Sequence, residues 1–185
     1  LELLGSPLPT VDGWRERKEW VLPWVSESMC AIQRQQEARG LSLGVFKPRE
    51  VVDVEQEADG HEDWTPAELS KLNQGDLFQT GDKKPLEKVP YNWRYRYICS
   101  DPACNGHRQQ IIDWEIHELY RGLKRRGITD PKRIHEKIRE KYLGELCGQG
   151  KDVYFFTGNM AKYPQSFLIL GVFWPPKEAQ MRLFR

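Results

Sequence analysis

The feature that most constrains the fold of this chain is an alternating segment that runs directly into a short cysteine-rich turn. Every second residue from Tyr91 to Cys99 is aromatic or cysteine, and the residues between them are Asn92, Arg94, Arg96 and Ile98. A period of two is typical of a β-strand with one buried and one outward face. Rings along one face need a core to pack against, so we predict burial of Tyr91, Trp93, Tyr95 and Tyr97.

Helical patterns occupy much of the remaining chain. The segment 14–40 indicates two helices broken near Pro23, the second capped by Ser26 or Ser28 and ended by Gly40. Further helices are predicted from the capping box Thr65–Glu68 to about residue 73, over about 108–126, and from Asp130-Pro131. The stripes expected to face the core in the last two helices are Ile112, Ile116, Leu119 and Leu123, and Ile134, Ile138, Tyr142 and Leu146.

Strand-like segments lie on both sides of these helices. They cover 41–57, interrupted at Lys47-Pro48, and the closing segments 153–157 and 166–174, which are close enough in sequence to form a hairpin. Helices grouped between pairs of strands predict an α+β fold, in which helices flank a mostly antiparallel sheet that carries the Cys/Cys/His loop.

The same patterns divide the chain into three parts. These are a helical and strand segment at 1–75, a loop at 76–88 and a C-terminal α+β core domain at 89–185. The chain begins at Leu1 and not at a Met, so one interpretation of the first part is the end of a truncated upstream domain.

The turn after the alternating strand has the composition of a metal site. Cys99, Cys104 and His107 have the spacing C-x4-C-x2-H, with Pro102 and Gly106 to fold the chain back. Thiolate and imidazole are the preferred ligands of zinc, so we predict that the three side chains converge on one zinc ion. The spacing does not give the fourth ligand, for which Cys147, Cys30, His61, an acid and a water remain open. Two ordinary cysteines and a helix-capping histidine are the alternative.

Basic residues are concentrated in one stretch although the net charge is only +1. Nine Lys and Arg residues lie between Arg121 and Lys141, against three acids, whereas Asp53–Asp63 holds six acids and no Lys or Arg. A local positive excess attracts polyanions. The alternative is a solvated helix face docked on the acidic segment. The candidate nucleic-acid contacts are Arg121, Lys124, Arg125, Arg126, Lys132, Arg133 and Lys137.

Catalytic motifs are weak in this sequence. Glu115 and Glu118 share a helix face and could, with His107, form a metal-dependent centre acting on nucleic acid, or they could make surface salt bridges. The loop Thr157–Lys162 either approaches a phosphate or simply closes a hairpin. The chain contains no Walker motif, G-x-G-x-x-G, G-x-S-x-G or H-E-x-x-H.

Cysteine usage and hydropathy indicate a cytoplasmic protein without a membrane span. Four unevenly spaced cysteines do not make a secreted disulfide scaffold and favour a reducing compartment. No apolar run approaches the roughly 18 residues that a transmembrane helix needs.

Several segments together resemble one group of proteins. They are the run K-V-P-Y-N-W-R-Y-R-Y from Lys88, the pattern C-x4-C-x-G-H, Asp113-Trp-Glu115, and two later stretches starting at Phe155 and Ser166. These segments, within about residues 85–175, resemble an uncharacterised bacterial family. The resemblance implies a bacterial origin and brings no known activity. We therefore expect a nucleic-acid-associated binding module stabilised by a zinc-like cluster, with a metal-dependent nuclease or other hydrolase, or a protein–protein interaction subunit of a bacterial complex, as alternatives.

Overall fold

A computed structural model describes residues 13–74 and 86–177. The helices are α1 (Trp14–Val21), α2 (Met29–Arg39), α3 (Pro66–Gln74), α4 (Trp114–Arg125) and α5 (Pro131–Arg139). A short 3-10 turn, Leu22–Trp24, follows α1, and a π-helical turn, Glu140–Glu145, continues α5. The strands are β1 (Val25–Ser26), β2 (Leu43–Phe46), β3 (Glu50–Ala58), β4 (Tyr91–Ile98), β5 (His107–Ile111), β6 (Tyr154–Met160) and β7 (Tyr163–Phe173).

The strands form one mostly antiparallel sheet, as the sequence predicts. Its order is β1-β2-β6-β7-β5-β4-β3, and only the pairs β1–β2 and β5–β7 run parallel. Together with the helices, this sheet makes an α+β fold. Strands from either side of the predicted loop at 76–88 share the sheet, and most of that loop lies outside the described residues.

The main core lies between one face of the sheet and helices α2, α4 and α5. Trp93, Tyr95 and Tyr97 are fully buried there, and Tyr91 is half-buried at the end of the strand. The predicted burial of the aromatic strand is therefore confirmed for three rings in full. Four residues of α5, its π-helical extension and the position directly after it face the same core, as predicted: Ile134, Ile138, Tyr142 and Leu146.

The helix predicted over 108–126 begins later than expected. Residues His107–Ile111 form β5, which pairs antiparallel with β4 and touches β7 at Ile169. Asp113 then caps α4 by accepting a hydrogen bond from the backbone N–H of Glu115 at 3.0 Å. Ile112 therefore lies outside the core, with 41% of its surface exposed. Local periodicity cannot detect the strand, because its backbone partners lie across the preceding turn.

Two other local signals are confirmed. Ser28 caps α2 by accepting from the Ala31 N–H at 3.0 Å, and Gly40 ends the helix with a φ of 72°. The closing hairpin also forms, but β6 continues to Met160 and β7 starts at Tyr163. Most of the predicted loop Thr157–Lys162 is therefore strand. Within the described residues, no helix has both the length and the apolar character needed to cross a membrane.

Candidate metal centre

Four side chains meet where α2 approaches the β4–β5 turn. Donor atoms of Cys30, Cys99, Cys104 and His107 all lie within 4.8 Å of one another. The Cys99 Sγ is 3.5 Å from the Cys30 Sγ and 3.4 Å from the His107 Nε2. The predicted convergence of the three clustered residues is confirmed, and the group could bind a metal ion.

The hairpin geometry brings three of these donors together. Cys99 follows β4, His107 opens β5, and Cys104 lies in the turn between them. The turn is held by a hydrogen bond from the Ala103 N–H to the Asp101 carboxylate at 3.0 Å. Gly106, with a φ of 97°, occupies the left-handed backbone region that glycine tolerates best, and its N–H donates to the Cys104 Sγ at 3.3 Å.

The fourth donor comes from a distant helix. Cys30 lies in the first turn of α2, two residues after the Ser28 cap. An ion pair of 2.8 Å between Arg34, one turn further along α2, and Asp101 in the hairpin turn joins the same two elements. The His107 ring also stacks on the buried Tyr97 ring, with centroids 5.0 Å apart. These contacts fix the position of the helix relative to the hairpin, and with it the positions of the four donors.

The surroundings of Cys99 and Cys30 shift the pKa values of the two thiols in opposite directions. Burial disfavours the thiolate of Cys99, but hydrogen bonds from the backbone N–H groups of Cys30 and Asp101 and the contact with His107 outweigh it and lower its pKa to about 6. Burial and the neighbouring Cys99 raise the pKa of Cys30 to about 12. The two pKa values shift in opposite directions because two adjacent thiolates, with sulfurs 3.5 Å apart, would repel each other.

A family model for a domain of unknown function, DUF8757, matches residues 25–185. The chain belongs to this family. All four donors lie inside the matched region, and the family description carries no activity. No curated protein and no solved structure matches the chain.

The other cysteine of this DUF8757 domain lies away from the cluster. Cys147 contacts the Tyr95 hydroxyl at 3.9 Å, and burial raises its pKa to about 12. His61 is exposed and does not belong to the group. Of the candidates for the fourth ligand, only Cys30 is therefore found with the other three among the described residues. The sequence offers no local signal for it, since the helix that carries it packs on the hairpin through tertiary contacts.

Most of the predicted nucleic-acid contacts are already engaged within the domain. Arg121 is buried and donates to the Glu87 carbonyl and to the Glu118 carboxylate, both at 2.9 Å. Glu118 also pairs with Arg125 at 3.4 Å. Two further ion pairs join Lys124 to Glu87 and Lys137 to Glu140.

Three bases around the α4–α5 turn differ from the rest. They are exposed, and no described carboxylate pairs with them: Arg126, Lys132 and Arg133. The acidic segment Asp53–Asp63 lies mainly in β3, where Asp53 accepts from Arg139 of α5 at 2.7 Å. Its Glu55 and Glu57 face arginines of β4 and β5.

The residues of the enzymatic alternative are not brought together. His107 belongs to the Cys/His group, Glu118 forms ion pairs with Arg121 and Arg125, and Glu115 is exposed and outside the group. In the described ranges, that Cys/His group is the single cluster of His, Cys, Asp and Glu with metal-site geometry.

Proposed function

We propose that this DUF8757 domain is a zinc-stabilised, non-enzymatic binding module whose partner is nucleic acid. The observation that carries the proposal is the presence of four soft donors, three sulfurs and one imidazole nitrogen, within 4.8 Å. Three cysteines and one histidine form a complete tetrahedral set for zinc. A complete set leaves no position for the water or substrate that a catalytic ion must hold, so the site serves stability.

The donor chemistry favours zinc over harder ions. Thiolates are poor ligands for magnesium, calcium and manganese, which take oxygen donors. Zinc also suits a site that joins a helix to a hairpin, because it has no redox chemistry and accepts tetrahedral geometry without strain. The reduced thiols of such a site are best maintained in the cytoplasm, where we place the protein.

Nucleic acid is the proposed partner because several exposed lysine and arginine side chains make no ion pair among the described residues. Arg126, Lys132 and Arg133 lie around one turn without a described carboxylate partner. Lysine and arginine contacts to phosphates supply affinity that does not depend on sequence. A nuclease is the less favoured function, because His107 belongs to the Cys/His group and Glu118 is engaged in ion pairs, so Glu115 has neither residue beside it to complete a catalytic centre.

Two measurements on the purified protein test the proposal. Elemental analysis after dialysis against metal-free buffer should find one zinc per chain, and cobalt substitution should give the intense visible bands of tetrahedral thiolate coordination. Anisotropy titrations with labelled DNA and RNA should show binding that weakens steeply with salt. Failure to retain or take up zinc would refute the metal site. Absence of nucleic-acid binding at low salt would instead favour a protein–protein role.

A further inference from the structure

We infer that the phosphate backbone of the nucleic acid binds in a basic cleft between the β2–β3 turn and the segment 148–152. This inference rests on the proposed function and assigns its binding surface. The cleft has a volume of about 230 Å³. Its charged lining residues are Lys47, Arg49, Lys151, Asp152 and Lys177. None of these positions lies in the basic stretch Arg121–Lys141.

The single acid of the lining is neutralised within the domain. Asp152 pairs with Lys47 at 2.8 Å and with the buried Lys18 of α1 at 3.6 Å. Two lysines on one carboxylate leave a local surplus of positive charge. Arg49, Lys151 and Lys177 make no ion pair within the described part of the chain, so their charges remain available to a ligand.

The backbone that carries these bases is held in place. Lys151 pairs with Pro176 in an isolated bridge, and the Lys177 N–H donates to the Gly150 carbonyl at 3.0 Å. On the other wall, the Arg49 N–H donates to the carbonyl of Ile98 at 2.9 Å. Binding therefore orders side chains but does not need to order the chain, which reduces its entropic cost.

An aromatic ring next to the cleft favours a nucleotide over an acidic peptide. Lys151 Nζ lies 4.7 Å from the ring centroid of Trp174, and Lys141 Nζ lies 5.9 Å from it. A phosphate that draws Lys151 into the cleft would free part of this half-buried ring for contact with a base. Basic grooves bordered by aromatic rings are typical of proteins that bind single strands.

The cleft and the exposed bases of the α4–α5 turn are separate surfaces. Arg126 directly follows α4, and Lys132 and Arg133 lie in the first turn of α5, whereas one wall of the cleft follows the π-helical turn at the far end of α5. A rise of about 1.5 Å per residue places roughly 20 Å between the two ends. Charge changes at one surface therefore test it independently of the other.

The test compares two triple variants with the same change in charge. The cleft variant carries Arg49→Glu, Lys151→Glu and Lys177→Glu, and the turn variant carries Arg126→Glu, Lys132→Glu and Arg133→Glu. The control carries two charge reversals outside both surfaces, Arg39→Glu and Lys162→Glu, on exposed side chains that make no ion pair among the described residues. Dissociation constants for a labelled single-stranded oligonucleotide are measured at about 50 and 200 mM salt. We expect the cleft variant to bind at least about tenfold more weakly, with a salt slope smaller by about two units, since each lost phosphate contact removes about 0.7. The turn variant should lose less affinity than the cleft variant, and the control should stay within about twofold of the parent.

Each other outcome has a definite meaning. If the turn variant loses as much affinity as the cleft variant or more, or if the control loses as much, the cleft is not the site although the domain binds nucleic acid. If the parent does not bind at low salt, the proposed function and the cleft fail together. Equal affinity for a polyglutamate peptide would also overturn the assignment to nucleic acid. Melting and zinc content check that each variant folds, and the milder pair Arg49→Gln and Lys177→Gln, both on exposed side chains, should show the same direction of change.

Discussion

The Sγ of Cys30 in α2 lies 3.5 Å from the Sγ of Cys99 after β4, although 69 residues separate them along the chain. A metal ion held by both would therefore cross-link the helix to the β4–β5 hairpin. Other contacts of α2 are the buried side chains Met29, Ala31 and Ile32, the ion pair of Arg34 with Asp101, and a hydrogen bond from Gln165 to Gln36. The Cys/His group is thus one of several contacts between this helix and the rest of the domain.

Removal of the distant ligand should weaken zinc binding without removing the fold. Cys30→Ser leaves three donors, and we expect its zinc affinity to fall by more than about 100-fold, the upper end of the cost of losing an outer-shell partner. Cys147→Ser is the matched control, because this thiol lies by Tyr95 and outside the cluster. Competition with a chromophoric chelator measures both affinities. Equal affinities for the two variants would exclude Cys30 as a ligand.

Removal of the metal should loosen α2 and the hairpin turn first. Metal binding to a folded site adds to folding stability, by about 2.7 kcal/mol when free zinc is 100 times its dissociation constant. Hydrogen exchange after chelation should accelerate in α2 (Met29–Arg39) and in residues 99–107, while the paired centres of β6 and β7 stay protected. Uniform acceleration across the sheet would show that the cluster supports the whole domain, and no change would show that it supports none of it.

The strand that leads to the site could be predicted from sequence, and the strand that leaves it could not. The sequence predicts β4 because aromatic and polar residues alternate along it. β5 consists of a histidine, an arginine, two glutamines and an isoleucine, which fit a helix equally well. Its state is decided by backbone pairing with Tyr97 and Trp93 across the turn. The helix predicted over 108–126 also included Asp113, whereas in the structure Asp113 caps the N-terminus of α4.

For the candidate site and the charged surface, too, the sequence predicts what depends on neighbouring residues and misses what depends on tertiary contacts. The three clustered ligands follow from spacing, but Cys30 could be chosen over the other candidates only after α2 was packed on the hairpin. Counts of lysine and arginine likewise overstate the free charge of α4 and α5. Arg121 and Lys124 are engaged by Glu87, which lies far away in sequence.

The Tyr97 hydroxyl makes a buried hydrogen bond next to the candidate metal centre. It donates to the Gln109 side-chain oxygen at 2.6 Å, and both residues are buried. Tyr97→Phe leaves that oxygen without its donor, and an unsatisfied buried acceptor costs about 1–3 kcal/mol. Urea unfolding should show a loss in this range. Tyr163→Phe, on a ring that is 51% exposed, is the control and should stay within about 0.5 kcal/mol of the parent. Similar losses in both variants would contradict a specific role for the buried bond.

The ion pair of Asp53 and Arg139 should make stability depend on pH. Burial raises the pKa of Asp53, but hydrogen bonds from Arg139 and from the Val54 N–H outweigh burial, and the pKa lies below its ordinary value. The folded state therefore binds a proton less readily than the unfolded state. The stabilisation is fully present above the unfolded pKa of about 3.9 and is lost as the pH falls through the lower folded value.

Asp53→Asn should remove that dependence together with the ion pair that joins β3 to α5. Both partners are partly exposed, so we expect a loss of about 1 kcal/mol at pH 7, the upper range for surface pairs. Between pH 7 and pH 3 the variant should lose less stability than the parent, because it has no carboxylate to protonate at this position. Urea unfolding at the two pH values measures the difference. Glu140→Gln removes the more exposed pair with Lys137 and serves as the control, which should keep the pH dependence of the parent. If Asp53→Asn keeps that dependence as well, Arg139 does not stabilise the ionised form of Asp53.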